Sequence, residues 1–108
     1  MVAIIIITHN EETFIERCLT SLQKQTYPKN CFSIIVVDNA STNHTTELLE
    51  SIEKTSSNIE LIKNKENRGF AAANNIAMKK VSDVDYIALL NPDSWVEKDW
   101  LEQMVSAM

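Results

Sequence analysis

Apolar runs and amphipathic segments alternate along the chain. Four short apolar runs predict buried strands, which lie at 2–7, 32–37, 59–62 and within 83–90. Apolar residues at helical spacing predict four helices, which lie at 11–25, from 41–43 to about 56, at 70–81 and at 95–108. The order βαβαβαβα predicts an α/β fold with a mainly parallel sheet and helices on both of its faces.

Length and charge limit the classes of function. The 108 residues are enough for one small domain with a hydrophobic core. The formal net charge of −5 argues against nucleic acid as a partner. An anionic ligand would therefore need a local site in which cations or a metal offset this charge. The single glycine argues against an all-β fold with many tight turns.

The cysteines and the chain ends bear on compartment and completeness. Cys18 lies on the apolar face of the first helix and Cys31 opens the second strand, so we interpret both as core residues in a reducing compartment. The apolar runs are far shorter than the ~20 residues of a membrane span, and no basic region typical of a signal peptide precedes the first one. We expect a cytoplasmic chain. The last helical pattern lacks a stop signal, so we expect 1–108 to be a single domain truncated from a longer protein.

Polar residues follow three of the predicted strands. They are Asn91-Pro92-Asp93, Thr8-His9-Asn10-Glu11 and Asp38-Asn39. Ligands of open α/β sheets bind beyond the carboxyl ends of the strands. A carboxylate there suits a hard divalent cation, and such a cation suits phosphate oxygens. We therefore expect one crevice, although Asn-Pro-Asp-Ser is also good turn chemistry.

The first two strand ends each allow two interpretations. Asp38 can accept hydrogen bonds from a ribose or a base edge, or it can cap the loop toward Ser41. Residues 8–11 can bind an anion at a helix start, or Thr8 or Asn10 can simply cap that helix. His9 can act as a base or a ligand, but no second His or Cys lies at metal-binding spacing.

The segment before the alanine-rich helix is also ambiguous. Arg68 can meet phosphate or remain an exposed arginine. Gly69 can supply a positive φ or let a ligand approach closely. Asn74 and Asn75 are unusual beside three alanines, and we expect at least one of them to face a polar site or cap a loop. GxGxxG is absent, so the familiar dinucleotide fingerprint is not supported, and the absence of GxxxxGK[ST] excludes a P-loop.

Five sequence blocks occur in a recognisable order: IIIITHN (4–10), CLTSLQKQTYP (18–28), IVVDNAST (35–42), NRGFAAANN (67–75) and LLNPD (89–93). Over nearly its whole length the chain resembles the nucleotide-binding half of a family 2 glycosyltransferase, whose GT-A fold contains a Rossmann-like sheet. The Asn-Pro-Asp variant and the GFAAAN block are most similar to rhamnosyltransferase-like members.

The resemblance implies a nucleoside-diphosphate sugar as donor, Mg²⁺ or Mn²⁺ as cofactor, and transfer of the sugar to an acceptor hydroxyl in glycan or cell-surface polysaccharide synthesis. It implies that Asp93 bears on the metal and that Asp38 recognises the nucleoside. The other implied nucleotide-sugar-binding residues are Thr8, His9, Asn10, Glu11, Asn39, Arg68, Gly69, Asn74 and Asn91.

Two positions depart from the family pattern. Asn91 replaces the first carboxylate of the DxD element, so metal binding rests mainly on Asp93, and His9 replaces a more usual tyrosine. In these enzymes the catalytic base and the acceptor side lie downstream of DxD. We therefore identify no catalytic residue and expect 1–108 to be inactive alone. A glycan or lipid-linked acceptor would bind the missing part, and the full protein would be cytoplasmic or peripheral on the inner face of the membrane.

Two other classes of function remain. A flavodoxin- or receiver-like binding domain shares the alternating architecture, but a receiver needs an acidic cluster after the first strand, which here ends in Thr-His-Asn. A self-associating fragment is the third class, because an unprotected sheet edge can pair with a second copy and form a homodimer.

Overall fold

In the part of the chain that the structure describes, the sheet has four strands, and all of them run parallel. The computed structural model describes residues 1–81 and 84–107. The strands are β1 (Val2–Thr8), β2 (Phe32–Asn39), β3 (Ile59–Asn64) and β4 (Tyr86–Leu89). The helices are α1 (Ile15–Gln23), α2 (Thr45–Thr55), α3 (Phe70–Lys80) and α4 (Trp100–Ala107), with a 3₁₀ turn at Lys29–Cys31. The strand order is β3-β2-β1-β4, which confirms the predicted α/β fold.

Successive residues of β1 and β2 enter two different hydrophobic cores. Ile4 and Ile34 face the core that α1, α2 and α4 cover. Ile5 and Ile35 face the core that the buried alanines of α3 cover. Because both faces are filled, these two central strands are continuous runs of branched apolar residues, as parallel strands usually are. The prediction of helices on both faces is confirmed.

Three helices begin later than predicted. The second, predicted from 41–43, begins at Thr45, and the first and fourth differ more. Residues 11–14 form a turn, in which the Phe14 N–H donates to the Glu11 carbonyl over 3.0 Å, and α1 begins at Ile15. Residues 95–99 lie outside helix, because the backbone of 96–98 bonds to α1 and to the residues just after it. Tertiary hydrogen bonds therefore override helical periodicity at 95–99, whereas residues 11–14 form a local turn that leads into α1. None of the described helices has the length and apolar character needed to cross a bilayer.

The remaining differences concern strand ends and a cysteine. β1 reaches Thr8 and β2 reaches Asn39, so residues predicted to follow these strands belong to them. Cys31 is half-buried in the 3₁₀ turn before β2 rather than in the core, whereas Cys18 is fully buried as predicted, and both thiols are free. The predicted start of the fourth strand at 83 and the helix end at 108 lie outside the described residues.

The two sheet edges differ in character. The β3 edge presents charged side chains at Glu60 and Lys63, which discourage strand pairing with another chain. The β4 edge presents Ile87 and Leu89, which are 42% and 50% exposed. An apolar stretch therefore remains uncovered along β4.

The packing of α4 on the sheet predicts a clear difference between two leucines. Leu101 is fully buried in the larger core. We expect Leu101→Ala to lower the free energy of unfolding by about 2–5 kcal/mol, because it removes buried methyl groups and leaves a cavity. Leu89→Ala, at a half-exposed site, is the matched control and should cost much less. Urea denaturation measures both, and equal losses would contradict the placement of α4.

Candidate functional site

The carboxyl ends of β1 and β2 lie side by side at one edge of the sheet. Thr8 pairs in register with Asp38, and Asn39 follows as the last residue of β2. All three side chains are buried, whereas His9 and Asn10 directly after β1 are exposed. The structure thus brings two of the predicted polar strand ends together.

The carboxylate of Asp38 is occupied by hydrogen bonds within the chain. One oxygen accepts from the Ser41 N–H at 3.2 Å and from the Ser41 hydroxyl, and the other accepts from the Thr46 hydroxyl. These contacts fix the loop after β2 and the first turn of α2, as the capping interpretation requires. Recognition of a nucleoside by Asp38 stays a prediction, and a base or ribose would have to share this carboxylate with Ser41 and Thr46.

Asn10 joins the loop after β1 to the loop after β2. Its side-chain oxygen accepts from the backbone N–H groups of Thr42 at 2.8 Å and Asn43 at 3.3 Å. Its own N–H donates to the Ser41 hydroxyl at 3.0 Å. Asn10 adopts a φ of 54°, a left-handed conformation that asparagine tolerates well. The residue therefore acts as a capping side chain between two loops.

His9 contacts the same pair of loops. Its Nδ1 lies 2.7 Å from the Asn39 carbonyl, which can only accept, so Nδ1 carries a proton and donates. Nε2 lies 3.3 Å from the side-chain nitrogen of Asn10 and accepts from it when the ring is neutral. This arrangement fixes the tautomer and leaves the ring at the surface beside the strand ends.

Asn39 extends the network to the loop after β3. Its side-chain oxygen accepts from the Asn64 amide at 2.8 Å and from the Arg68 N–H at 3.3 Å. Its side-chain nitrogen donates to the Gly69 carbonyl at 3.3 Å. Three loops, after β1, β2 and β3, are therefore joined by the side chains of two asparagines, Asn10 and Asn39.

Gly69 is needed for its backbone conformation. It caps α3 with φ 80° and ψ 169°, a region that residues with a Cβ rarely adopt. A methyl group added to Gly69 would meet no atom within 4 Å. The positive-φ interpretation therefore accounts for this glycine in the structure, and close approach of a ligand to it stays a prediction.

Arg68 and Asn74 differ in how firmly they are held. The Arg68 side chain is half-exposed, and its guanidinium lies 3.9 Å from the Glu66 carboxylate, which is a weak surface pair. Asn74 is buried, and its side-chain nitrogen donates to the Phe70 carbonyl at 3.1 Å. Two buried oxygens, Thr8 Oγ1 and Asn74 Oδ1, have no hydrogen-bond partner among the described residues. Asn75 is exposed.

Asn91 and Asp93 form an exposed turn that, among the described residues, makes no hydrogen bond to Asn10 or Asn39. The Ser94 N–H donates to the Asn91 carbonyl at 3.1 Å, as expected for turn chemistry. The Cys18 thiol donates to the same carbonyl at 3.7 Å. Burial, and secondarily the Asp93 carboxylate, raise the pKa of Cys18 to about 12, so the thiol stays protonated at neutral pH. Cys18 therefore lies beneath this turn as a neutral donor.

Sequence reasoning missed two residues that build these loops. Thr46 binds Asp38, and Asn64 binds Asn39. Their signal in the sequence is the usual one of serine, threonine and asparagine near element ends, where such side chains bond to local backbone and side chains. Glu11 contributes through its carbonyl, which accepts from Phe14 and Ile15.

Comparison with known proteins identifies the family of the domain. Residues 3–108 match the family described as Glycosyl transferase family 2. The chain belongs to glycosyl transferase family 2. This result confirms the resemblance drawn from the sequence blocks and excludes the flavodoxin- or receiver-like alternative.

Several family 2 relatives have been named or solved. Glycosyltransferase AglE of Haloferax volcanii is 34% identical over 107 residues, which are 99% of this chain and 35% of the relative. Mannosyltransferase PcManGT from Pyrobaculum calidifontis, solved with GDP-Man and Mn²⁺, gives a TM-score of 0.87 at 30% identity over 96% of this chain and 31% of that chain. S. aureus TarS 1–349, solved with UDP-GlcNAc, gives 0.88 at 27% identity over 97% and 30%. This family 2 chain thus spans about a third of their length.

The conformation of Gly69 in this family 2 domain predicts a strong and specific effect of substitution. We expect Gly69→Ala to lower the free energy of unfolding by about 1–3 kcal/mol, because an L-residue is strained at this φ. D-alanine at the same position, introduced by semisynthesis, is relaxed at this φ because its methyl group lies on the opposite side of the Cα, and it should preserve stability. Thermal denaturation compares the variants. An unchanged stability of Gly69→Ala would contradict strain at this φ as the reason for the glycine.

Proposed function

We propose that this domain binds the nucleoside-diphosphate sugar donor of a metal-dependent glycosyltransferase. The observation that carries the proposal is the junction of three loops at the carboxyl edge of the sheet, held by Asn10 and Asn39. This edge is where open α/β sheets bind ligands. Structures of similar fold hold UDP-GlcNAc in TarS and GDP-Man with Mn²⁺ in PcManGT, which supports the same class of ligand here.

The residues at this edge offer suitable chemistry for such a donor. Thr8, His9, Asn10, Glu11, Asp38, Asn39, Arg68, Gly69, Asn74 and Asn91 are the proposed nucleotide-sugar contacts. The weak pairing of Arg68 with Glu66 leaves its guanidinium free to bind diphosphate oxygens. The unpartnered oxygens of Thr8 and Asn74 are fully buried, so these two residues would meet the donor only after the surrounding side chains shift.

The side chains of Asp93 and Asn91 suit a divalent metal that binds together with the nucleoside-diphosphate sugar. Asp93 provides an exposed carboxylate and Asn91 an amide oxygen. Within 1–81 and 84–107 there is no group of three His, Cys, Asp or Glu side chains that could hold a metal. Mg²⁺ and Mn²⁺ accept one or two carboxylates together with phosphate oxygens and water. Asp93 would therefore bind Mg²⁺ or Mn²⁺ chiefly when the diphosphate supplies further oxygens.

Within this scheme the chain's own residues bind and orient the donor. When bound, the metal would offset negative charge on the leaving diphosphate. Arg68 would neutralise further charge, and Asp93 would fix the diphosphate relative to the sheet. We propose that the catalytic base and the acceptor site belong to the part of the relatives that this chain does not match, so that 1–108 alone transfers little or no sugar.

The names of relatives suggest the acceptor class. They include a poly(ribitol-phosphate) beta-glucosyltransferase of Bacillus spizizenii and a putative teichuronic acid biosynthesis glycosyltransferase of Bacillus subtilis. We propose that the full protein acts in synthesis of a cell-surface polysaccharide, on a glycan or lipid-linked acceptor. We further propose a cytoplasmic location, or a peripheral one at the inner face of the membrane, where cytosolic donors meet such acceptors.

Self-association is a second candidate activity, and the exposure of Ile87 and Leu89 on β4 favours it. β4 is an edge strand, so its outer backbone groups can pair with a second copy. A homodimer formed this way would also cover both apolar side chains. Such a homodimer is compatible with donor binding, because the proposed donor-binding residues lie at the carboxyl ends of the strands and not along the outer side of β4.

Calorimetry tests the donor-site proposal. We expect one of UDP, GDP or dTDP to bind more tightly by at least about tenfold, or ~1.4 kcal/mol, when Mn²⁺ is present. Asp93→Asn keeps the shape of the side chain but removes its charge, and should abolish this enhancement. Asp99→Asn, on the same segment, is the matched control and should retain it. Failure of all three nucleotides to bind, with or without Mn²⁺, would refute a competent donor site in 1–108.

Light scattering tests the edge-pairing candidate. If β4 mediates a homodimer, the chain should show a concentration-dependent mass of twice one copy, and Leu89→Lys should keep it monomeric because a charge on the edge opposes pairing. Glu60→Lys on the β3 edge serves as the control and should not change the mass. A monomeric wild type at high concentration would rule the homodimer out.

A further inference from the structure

Side chains on one face of α1, and just beyond its C-terminal end, bind the segment that carries Asp93. Cys18, Ser21 and Gln25 lie one helical turn apart, and each bonds to the backbone of residues 91–101. We call these three side chains the α1 seam. Residues 90–99 form neither helix nor strand, so hydrogen bonds to other elements determine their path.

Gln25 is the central member of the seam. Its side chain is only 8% exposed, and its nitrogen donates to the Glu97 carbonyl at 2.7 Å and to the Ser21 carbonyl at 3.1 Å. Its side-chain oxygen accepts from the Leu101 N–H at 2.9 Å, one of the N–H groups that the start of α4 leaves without a helical partner. Because both ends of the amide are used, neither an apolar nor a charged side chain can replace it fully.

Ser21 and Cys18 bind the same segment closer to Asp93. The Ser21 hydroxyl accepts from the Val96 N–H at 3.2 Å and donates to the Cys18 carbonyl at 2.7 Å. The Cys18 thiol donates to the Asn91 carbonyl. Asp93 therefore lies between two anchored positions, 91 and 96, although its own side chain is exposed.

Two further contacts from α1 and the residues after it act on the same segment. The Thr26 N–H donates to the Lys98 carbonyl at 2.7 Å. The Arg17 guanidinium lies 4.4 Å from the centre of the Trp95 ring, a cation–π contact. Anchors thus occur at 91, 95, 96, 97, 98 and 101, all from one helix and the residues that follow it.

We propose that the α1 seam positions Asp93 for metal-assisted binding of the diphosphate, with Ser21 and Gln25 as positioning residues. The proposal rests on the donor-site function proposed above. A single carboxylate can hold a metal usefully only if its place relative to the diphosphate is fixed, because Asn91 stands where the motif would carry its other carboxylate. Partners that orient a metal ligand typically change metal affinity by about 10–100-fold when removed.

The test separates positioning from simple stability. Gln25→Ala and Ser21→Ala are compared with Gln23→Ala as the matched control. Gln23 lies in α1, and its side-chain nitrogen donates instead to the hydroxyl of Ser56, the residue directly after α2. For each, calorimetry gives the ratio of nucleotide Kd without Mn²⁺ to Kd with Mn²⁺. We expect the seam variants to reduce this ratio by about tenfold or more while the Kd without Mn²⁺ stays near wild type, and the control to keep both.

Hydrogen exchange gives a readout that does not depend on ligand binding. Amide protons of 94–101 should exchange faster in Gln25→Ala than in wild type, and those of Gln23→Ala should not. If Gln25→Ala does not fold, Gln25→Glu replaces it, because it keeps the acceptor for Leu101 and loses the donor for Glu97. Folded seam variants with an unchanged Mn²⁺ ratio, or with unchanged exchange at 94–101, overturn the proposal. If the wild type binds no nucleotide, the donor site is refuted instead. The exchange rates at 94–101 then show whether the α1 seam holds that segment in place.

Discussion

The in-register pairing of β1 with β2 is the constraint on which the rest of this domain depends. It places Thr8 opposite Asp38, so that the loops after both strands leave the sheet at the same level. A slip by one residue would exchange the side chains that enter the two cores. The cores are not interchangeable, because large side chains of three helices fill one and the small alanines of α3 fill the other. Packing therefore fixes the register, and the register fixes the site.

Backbone conformations that L-residues resist are concentrated at this edge. Among the described residues, positive φ occurs at Asn10, Ala40 and Gly69, one in each loop after β1, β2 and β3. The left-handed conformation costs a residue such as Ala40 about 1–2 kcal/mol. Hydrogen bonds from Asn10 and Asn39 offset this cost by holding all three loops together. The shape of the edge is thus maintained by side-chain amides rather than by regular secondary structure.

The sequence predicted the fold well because strand burial is visible in composition. The runs at 2–7 and 32–37 have no polar residue except Ser33, and such runs identify central parallel strands. The late starts of α1 and α4 were not predictable, because both 11–14 and 95–99 carry helical periodicity. Tertiary hydrogen bonds override it at 96–98, and a local turn replaces helix at 11–14. The partners of Asp38 were foreseen only as one of two alternatives, since capping and ligand binding use the same residue type. The residues of the α1 seam lie in one of the five sequence blocks, at 18–28. Only the contacts in the structure show that they bind the segment that carries Asp93.

The loops at the strand ends and the segment that carries Asp93 are attached to the rest of the domain in different ways. The loops after β1, β2 and β3 are tied to one another, whereas the Asp93 segment is tied to α1. Pairing between β1 and β4 ends at Leu89, so the sheet alone does not fix the position of Asp93. α1 packs against the sheet through Ile15, Leu19 and Leu22, which are fully buried, and it begins directly after the first loop. The packing of one helix therefore determines where the Asp93 segment lies relative to the strand-end loops.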